Sequence, residues 1–204
     1  RQMKYYLETQ IKKMVNDNMC EWNNLKDIIK INGNGKTNSS DITNTGCIPF
    51  YKASFNNPSG ITTNYDFDSI NGEDYLLFVK SGGSAKKPIS LNYGIGKVFL
   101  VNGKSAANIA VFQLINTSNN LTKYLYYYLL LSQEKIQKLA KYACNNGNID
   151  MDNFKLFNIP ITTITYQTGI VQYLDKLEEK KNSINEEISD IDNLMKQVLE
   201  QSYN

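Results

Sequence analysis

The sequence predicts a mixed α/β (α+β) protein, a small mixed sheet attached to a long C-terminal coiled-coil helix. Three observations carry that reading. Residues 170–198 hold a stripe of Ile170, Leu174, Leu177, Lys181, Ile184, Ile188, Ile191, Met195 and Val198, spaced four-three-four-three and apolar everywhere except Lys181. Residues 75–79 and 98–101 are compact apolar runs near glycines, the pattern of buried strands. Met3, Leu7, Ile11 and Met14 recur at helical spacing, so the first fifteen or so residues form an amphipathic helix that ends in the polar run 16–18.

Between these ends the elements follow in order. After Trp22, residues 25–31 read as a strand, 32–45 as a long loop dense in Gly, Asn, Ser and Thr, and 47–51 as a second short strand. Residues 56–65 are turn-rich, and 109–114 alternate enough to add a strand to the two apolar runs. A helix is expected over 121–139, a loop over 145–148, and a last extended piece over 154–161. The expected partition is an N-terminal helix (1–18), a globular domain (19–163) and a helical rod (164–204). A narrow apolar stripe cannot hide from water on a lone helix, so the rod must lie against another helix, from this chain or from a partner.

Composition excludes several classes. No run of eighteen apolar residues exists; the nearest stretch, 124–131, is short and tyrosine-rich and reads as a buried helix, so no membrane span is expected. Cys20, Cys47 and Cys144 are odd in number, scattered and never paired as C-x-x-C, which points to free thiols in a reducing, cytoplasmic compartment. With no histidine, a zinc site or a histidine general base is excluded, and no metal site is expected. Arg1 opens the chain in place of Met, so the sequence reads as a piece of something longer.

The net charge of +2 conceals an asymmetry. Residues 20–160 carry 14 Lys against 10 acids, whereas 161–204 carry 4 Lys against 8 acids, so the globular part is basic and the rod acidic. Between Asp74 and Glu134 there is no acidic residue, while Lys80, Lys86, Lys87, Lys97, Lys104 and Lys123 fall inside that window. A polyanionic partner fits such a surface, as does a merely solvated basic face.

No catalytic constellation survives inspection. Gly33, Gly35, Lys36 and Thr37 suggest a phosphate-binding loop, but the Walker pattern needs glycine where Lys30 stands. Residues 57–60 lack the second proline and the aromatic that an amino-methyltransferase uses to hold its target base, and no glycine-rich strand-turn could hold S-adenosylmethionine. Glu73 with Lys80 and Glu178 with Lys180 do not make a nuclease metal site: the first spacing is wrong and the second pair lies on the rod. The chain is therefore expected to bind and not to catalyse, with no cofactor of its own.

The best binding candidate runs through Lys80, Ser81, Gly82, Gly83, Ser84, Lys86 and Lys87. Small residues there expose backbone N–H groups and lysines surround them, which suits close approach to phosphates. Lys36 and Thr37 belong to a similar loop. Lys104, Ser105 and Asn108 form another, and Asn108 has the carboxamide that can pair with adenine.

The order of motifs resembles the DNA specificity subunits of type I restriction-modification systems. The resemblance runs from about Trp22 to Asp175. It includes Leu25-Lys26-Asp27-Ile28, the Gly-Lys-Thr loop, Gly46-Cys47-Ile48-Pro49-Phe50, the strand entering the small-residue loop (76–85), Lys97-Val98-Phe99 and Ala107-Asn108. It continues through the aromatic-leucine helix (124–131), Asn146-Gly147-Asn148, Ile159-Pro160-Ile161, Gln167, Ile170-Val171 and Leu174-Asp175. Residues 162–166 depart from it, lacking the second proline and acidic pair often found before the glutamine.

The resemblance implies a target recognition domain that reads half of a split double-stranded DNA sequence. It also implies a spacer helix that docks methyltransferase subunits, with restriction subunits as further partners and S-adenosylmethionine bound by the methyltransferase. Full subunits of that family have two such domains and two long helices. One of each implies a half-subunit completed by homodimerisation or by a second half. Four heptads span roughly 42 Å at about 1.5 Å per residue, close to the roughly 34–36 Å of one DNA turn. The rival reading is a coiled-coil assembly or scaffold module that keeps the fold without reading DNA.

Overall fold

In the computed structural model, residues 2–43, 45–54, 56–143 and 146–202 are described. Helix α1 (Gln2–Asn16) leads to β1 (Glu21–Asn24), β2 (Ile29–Asn34), β3 (Ile48–Tyr51), β4 (Gly60–Thr62), β5 (Tyr75–Val79) and β6 (Ser81–Gly82). Then come β7 (Val98–Val101), β8 (Ala106–Ala107), β9 (Val111–Asn116), α2 (Thr122–Leu131) and α3 (Gln133–Gln137). The hairpin β10 (Ala140–Ala143) and β11 (Asn146–Ile149), α4 (Met151–Lys155), β12 (Asn158–Ile161) and the long α5 (Ile164–Ser202) complete the chain.

The central sheet has the order β2-β9-β5-β7 and is antiparallel throughout. The mixed pairing expected from sequence lies in a second sheet, β4-β3-β8, where β3 runs antiparallel to β4 and parallel to β8. Strand β5 explains why its sequence is a continuous apolar run: all five residues are buried, on both faces. Leu76 and Phe78 enter the main core with Leu114, Tyr124, Leu125 and Phe154. Tyr75, Leu77 and Val79 enter a smaller core with Tyr51, Phe67, Val101 and Val111. The alternation of side chains along a strand makes two layers from one run.

The root of the rod belongs to the domain. Strands β1 and β12 pair antiparallel, Glu21 opposite Ile161, so the start and end of the globular part meet where α5 begins. Ile170 and Leu174 are buried in the main core, with Leu177 packed at its edge. Helix α1 lies against the same root: Tyr6 stacks on Tyr173 at 4.0 Å, and the Tyr166 hydroxyl donates to Gln10 Oε1. Farther out, Ile184, Ile188, Ile191, Met195 and Val198 are 45% to 64% exposed. Lys181 is exposed as well. The heptad stripe thus has two employments, an inner one in the domain core and an outer one open to solvent.

Several expected boundaries are corrected. The strand predicted over 25–31 begins at Ile29, because Leu25–Asp27 wind into a single 3-10 turn that buries Leu25. The polar stretch 32–45 is not loop throughout, since β2 runs to Asn34 and Ser39–Asp41 form another 3-10 turn. Within 56–65, Gly60–Thr62 pair with β3. The helix predicted over 121–139 breaks at Ser132, whose N–H is shared between the carbonyls of Tyr128 and Leu129. Residues 146–148 are strand, paired with β10 and, through Gly147 and Asn148, with β6. Phe154 lies in α4, stacked on Phe78 at 4.2 Å, so the last extended piece starts at Asn158. Cys144 and Asn145 lie outside the described residues. No helix among them is long and apolar enough to cross a membrane.

Candidate nucleic-acid interface

The antiparallel order of the central sheet brings the end of β2, the start of β9, the end of β5 and the start of β7 to one edge. Backbone bonds tie these ends together. Gly35 N–H donates to Val111 O (2.9 Å), Lys80 N–H to Ala110 O (2.8 Å), Val79 N–H to Lys97 O (2.9 Å) and Gly96 N–H to Val79 O (2.8 Å). Lys36, Lys80 to Lys87, Lys97 and Asn108 therefore gather at this edge, although they are far apart in sequence. Three strand spacings of about 4.8 Å make the edge about 14 Å wide, comparable to the roughly 12 Å major groove.

The glycine loop is shaped for backbone exposure. Gly82 and Gly83 have φ of 131° and 79°, conformations that L side chains rarely adopt, and a Ser84–Lys87 bridge closes the turn that presents Lys86 and Lys87. Lys86 and Lys87 are exposed; Ser81 and Ser84 are half-buried. Lys80 folds back with Nζ 5.4 Å from the Phe112 ring centroid. Lys97 is partly buried, and burial, followed by the like charge of Lys181 on the rod, depresses its ammonium pKa.

Asp66 organises the neighbouring loops. Its carboxylate accepts from the backbone N–H groups of Lys36 (3.0 Å), Thr37 (3.3 Å) and Ala107 (2.7 Å), joining the Gly-Lys-Thr turn to the segment that carries Asn108. That carboxylate is thereby spent on N–H donors while Lys36 stays exposed. Thr37 is buried and serves the turn. Asn108 is half-buried; its N–H donates to Tyr51 O and its side-chain oxygen accepts from Ala110 N–H (3.1 Å).

Two of the residues grouped by sequence part company with the rest. Lys104 and Ser105 lie on the segment that returns from the end of β7, at the far end of the sheet, to β8, where Ser105 bridges Phe67 and its carbonyl accepts from Asp66 N–H. Ser105 is fully buried and its hydroxyl pairs with the Tyr75 hydroxyl at 2.7 Å, which makes it a core residue and not a surface contact. Burial pushes the Tyr75 phenol up to about 12. Lys104 is exposed, Nζ 4.3 Å from the Tyr65 ring centroid. The far end also carries acidic residues: Asp74 accepts from Asn102, Asp68 adjoins Tyr75, and Glu73 follows Gly72.

Residues the sequence reading passed over complete the basic edge. Along β11 exposed Asn146 and Asn148 alternate with buried Gly147 and Ile149, so both carboxamides face out beside Ser81 and Gly82. Gly147 is required there because a Cβ would meet the Tyr142 ring and the Gly82 carbonyl. Two buried glutamines on α3 hold the returning loop 90–95. Gln133 Nε2 donates to the carbonyls of Tyr93 and Ile95, each at 3.0 Å, and Gln137 bonds Ser90 and Ile95. The sequence signal for them was faint: two Gln four apart on a short, mostly polar helix. No group of three or more His, Cys, Asp or Glu side chains able to hold a metal occurs among the described residues.

Residues 19–192 match the model of the family described as the type I restriction modification DNA specificity domain. Solved structures share the fold. A type I restriction-modification S subunit from M. genitalium superposes with TM-score 0.65 at 18% identity, over 82% of this chain and 41% of that one. The HsdS subunit from Thermoanaerobacter tengcongensis gives 0.54 at 17%, over 82% and 39%. A chain from a structure of complex assembly and conformational transition of the type I R-M system gives 0.60 at 16%, over 88% and 43%. This chain thus spans about two fifths of the length of those it resembles.

Proposed function

The chain belongs to the family of type I restriction modification DNA specificity domains, and on that premise we propose that it reads one half of a split double-stranded DNA target on behalf of partner methyltransferase and restriction subunits. The observation that carries this reading is the basic edge: Lys36, Lys80, Lys86, Lys87 and Lys97 gathered from four strands around a glycine turn with exposed carboxamides. Lysines and open N–H groups position phosphates without regard to sequence, while exposed Asn146 and Asn148 supply donor–acceptor pairs of the kind that read base edges in the major groove, with the Asn108 amide beside them.

The outer stripe of α5 supports the second half of the proposal. Ile184, Ile188, Ile191, Met195 and Val198, flanked by exposed Leu194 and Leu199, form an apolar face that a second helix would cover. In this reading the second helix comes from a second copy or a second half-subunit, and the methyltransferase supplies base flipping and S-adenosylmethionine. Selection from a random duplex pool tests the proposal. Enrichment of one bipartite motif is expected; no enrichment from a self-associating, folded protein would favour a scaffold that retains the fold without reading DNA.

A further inference from the structure

The rod leaves the domain through a cluster of side chains that sequence patterning does not reveal. The Tyr127 hydroxyl lies 2.5 Å from Asp175 Oδ1 and 2.8 Å from Glu178 Oε2, and Lys123 Nζ is 2.9 Å from the other Asp175 oxygen. The Tyr127 side chain is buried in the main core, so its ring is fixed to the domain while its hydroxyl grips the helix at two positions one turn apart. A hydroxyl has one proton; here it is held between two carboxylates, and burial together with both of them drives the Tyr127 pKa well above the ordinary phenol value. The site stands where α5 departs: Leu174 is fully buried just before it, and Ile184 is 45% exposed beyond it.

We propose that Tyr127, by bonding Asp175 and Glu178, is a positioning residue that sets the direction of the rod relative to the reading edge and so selects the spacer length between two DNA half-sites. This rests on the split-target reading above. Leverage makes the grip matter. Twenty residues separate Glu178 from Val198, about 30 Å of helix, so a swing of about 10° at Glu178 moves the tip by about 5 Å, more than the roughly 3.4 Å rise of one base pair. Each added base pair also turns the second half-site by about 34–36°. A rod held at one angle tolerates few spacers, and a rod that swings tolerates several.

The test uses the full chain and its Tyr127→Phe variant, which keeps the ring in the core and removes only the hydroxyl. Affinity is measured for duplexes bearing one half-site and for duplexes bearing two, with spacers stepped one base pair at a time. The expected result is a single preferred spacer for the unaltered chain, with neighbours about tenfold weaker, and a profile flattened to about threefold in the variant. Single-site affinity is expected to stay within about twofold. Asp175→Asn with Glu178→Gln should flatten the profile in the same way. An unchanged spacer profile in the Tyr127→Phe protein would overturn the positioning role, as would a flattened profile accompanied by equal loss of single-site binding, which marks general damage to the fold. A flat profile in the unaltered chain, with single-site binding intact, would instead remove the split-target reading and the role of Tyr127 with it.

Discussion

Gln137 holds Ser90 by both of its backbone groups: the Ser90 N–H donates to Gln137 Oε1 at 2.9 Å, and the Ser90 carbonyl accepts from Gln137 Nε2 at 2.8 Å. A glutamine amide used this way replaces a strand partner for a segment that has none. The segment is the return of the basic turn, so one buried side chain on α3 fixes a loop at the reading edge. Changing Gln137 to Ala removes the acceptor of the Ser90 N–H, while the Ser90 carbonyl keeps the Tyr93 N–H, and should cost about 1–3 kcal/mol in urea denaturation, with faster amide exchange at Ser90. DNA affinity should fall although Gln137, 1% exposed, cannot touch DNA. Unaltered exchange at Ser90 would contradict this role.

Asp66, half-buried, is a second anchor. Three N–H donors converge on its carboxylate. Asp66→Ala should destabilise the fold by at least the about 1.5–3 kcal/mol of one hydrogen bond to a charged group. Asp66→Asn, which keeps one acceptor oxygen, should recover part of the loss. Equal stability of the two variants in urea would count against the carboxylate as the organiser of these loops.

The two employments of the heptad stripe predict opposite phenotypes for similar substitutions. Leu174→Ala removes a fully buried side chain and should cost about 2–5 kcal/mol of folding stability. Ile188→Ala, at a position 52% exposed, should change the stability of the dissociated chain by less than about 0.5 kcal/mol and weaken self-association in sedimentation experiments. Lys181→Leu should tighten that association or change its stoichiometry, because a charged seam position costs stability and restricts register.

Helix α1 is tied to α3 by Lys4, whose Nζ is 2.5 Å from Glu134 Oε2. The hydrogen bond and then the charge of Lys4 hold the Glu134 carboxyl below its usual value. A carboxyl depressed in the folded state stabilises above its unfolded value, about 4.3, and that contribution is lost as pH falls through the folded value. Both partners are about two fifths exposed, so the effect is worth less than about 1 kcal/mol. The melting temperature of Glu134→Gln should lie slightly below that of the unaltered chain at pH 7 and converge with it as pH falls through the depressed folded value. A gap that persists at low pH would place the effect elsewhere.

What the sequence discloses about this fold follows from how local each cause is. Strands β5 and β7 are legible to the residue because each is an unbroken apolar run with no polar position to blur its ends. Helix α1 is legible because its period is repeated over four turns. Strand β1 is not, since its residues Glu21, Trp22, Asn23 and Asn24 become a strand only by meeting β12 about 140 residues later. The β10–β11 hairpin looked like a loop because its alternation is Asn-Gly-Asn-Ile, with glycine in the inward place. At the site, the lysine-rich window was plain, but the burial of Ser105 against Tyr75 depends on the path of the chain between β7 and β8. The outer heptads were legible as a face needing cover; that Ile170 and Leu174 are covered by the chain's own domain was not.

The central claim is that the basic edge of the sheet meets DNA phosphates, and the salt dependence of binding tests it most directly. Affinity for the selected duplex is measured across a salt series for the unaltered chain and for Lys86→Ala/Lys87→Ala. Each phosphate contact contributes about 0.9 to the slope of log K against log salt concentration, so losing two lysines should reduce the slope by up to about 2 and weaken binding most at low salt. Identical slopes and affinities for the two proteins would contradict the account and remove the glycine turn from the DNA interface.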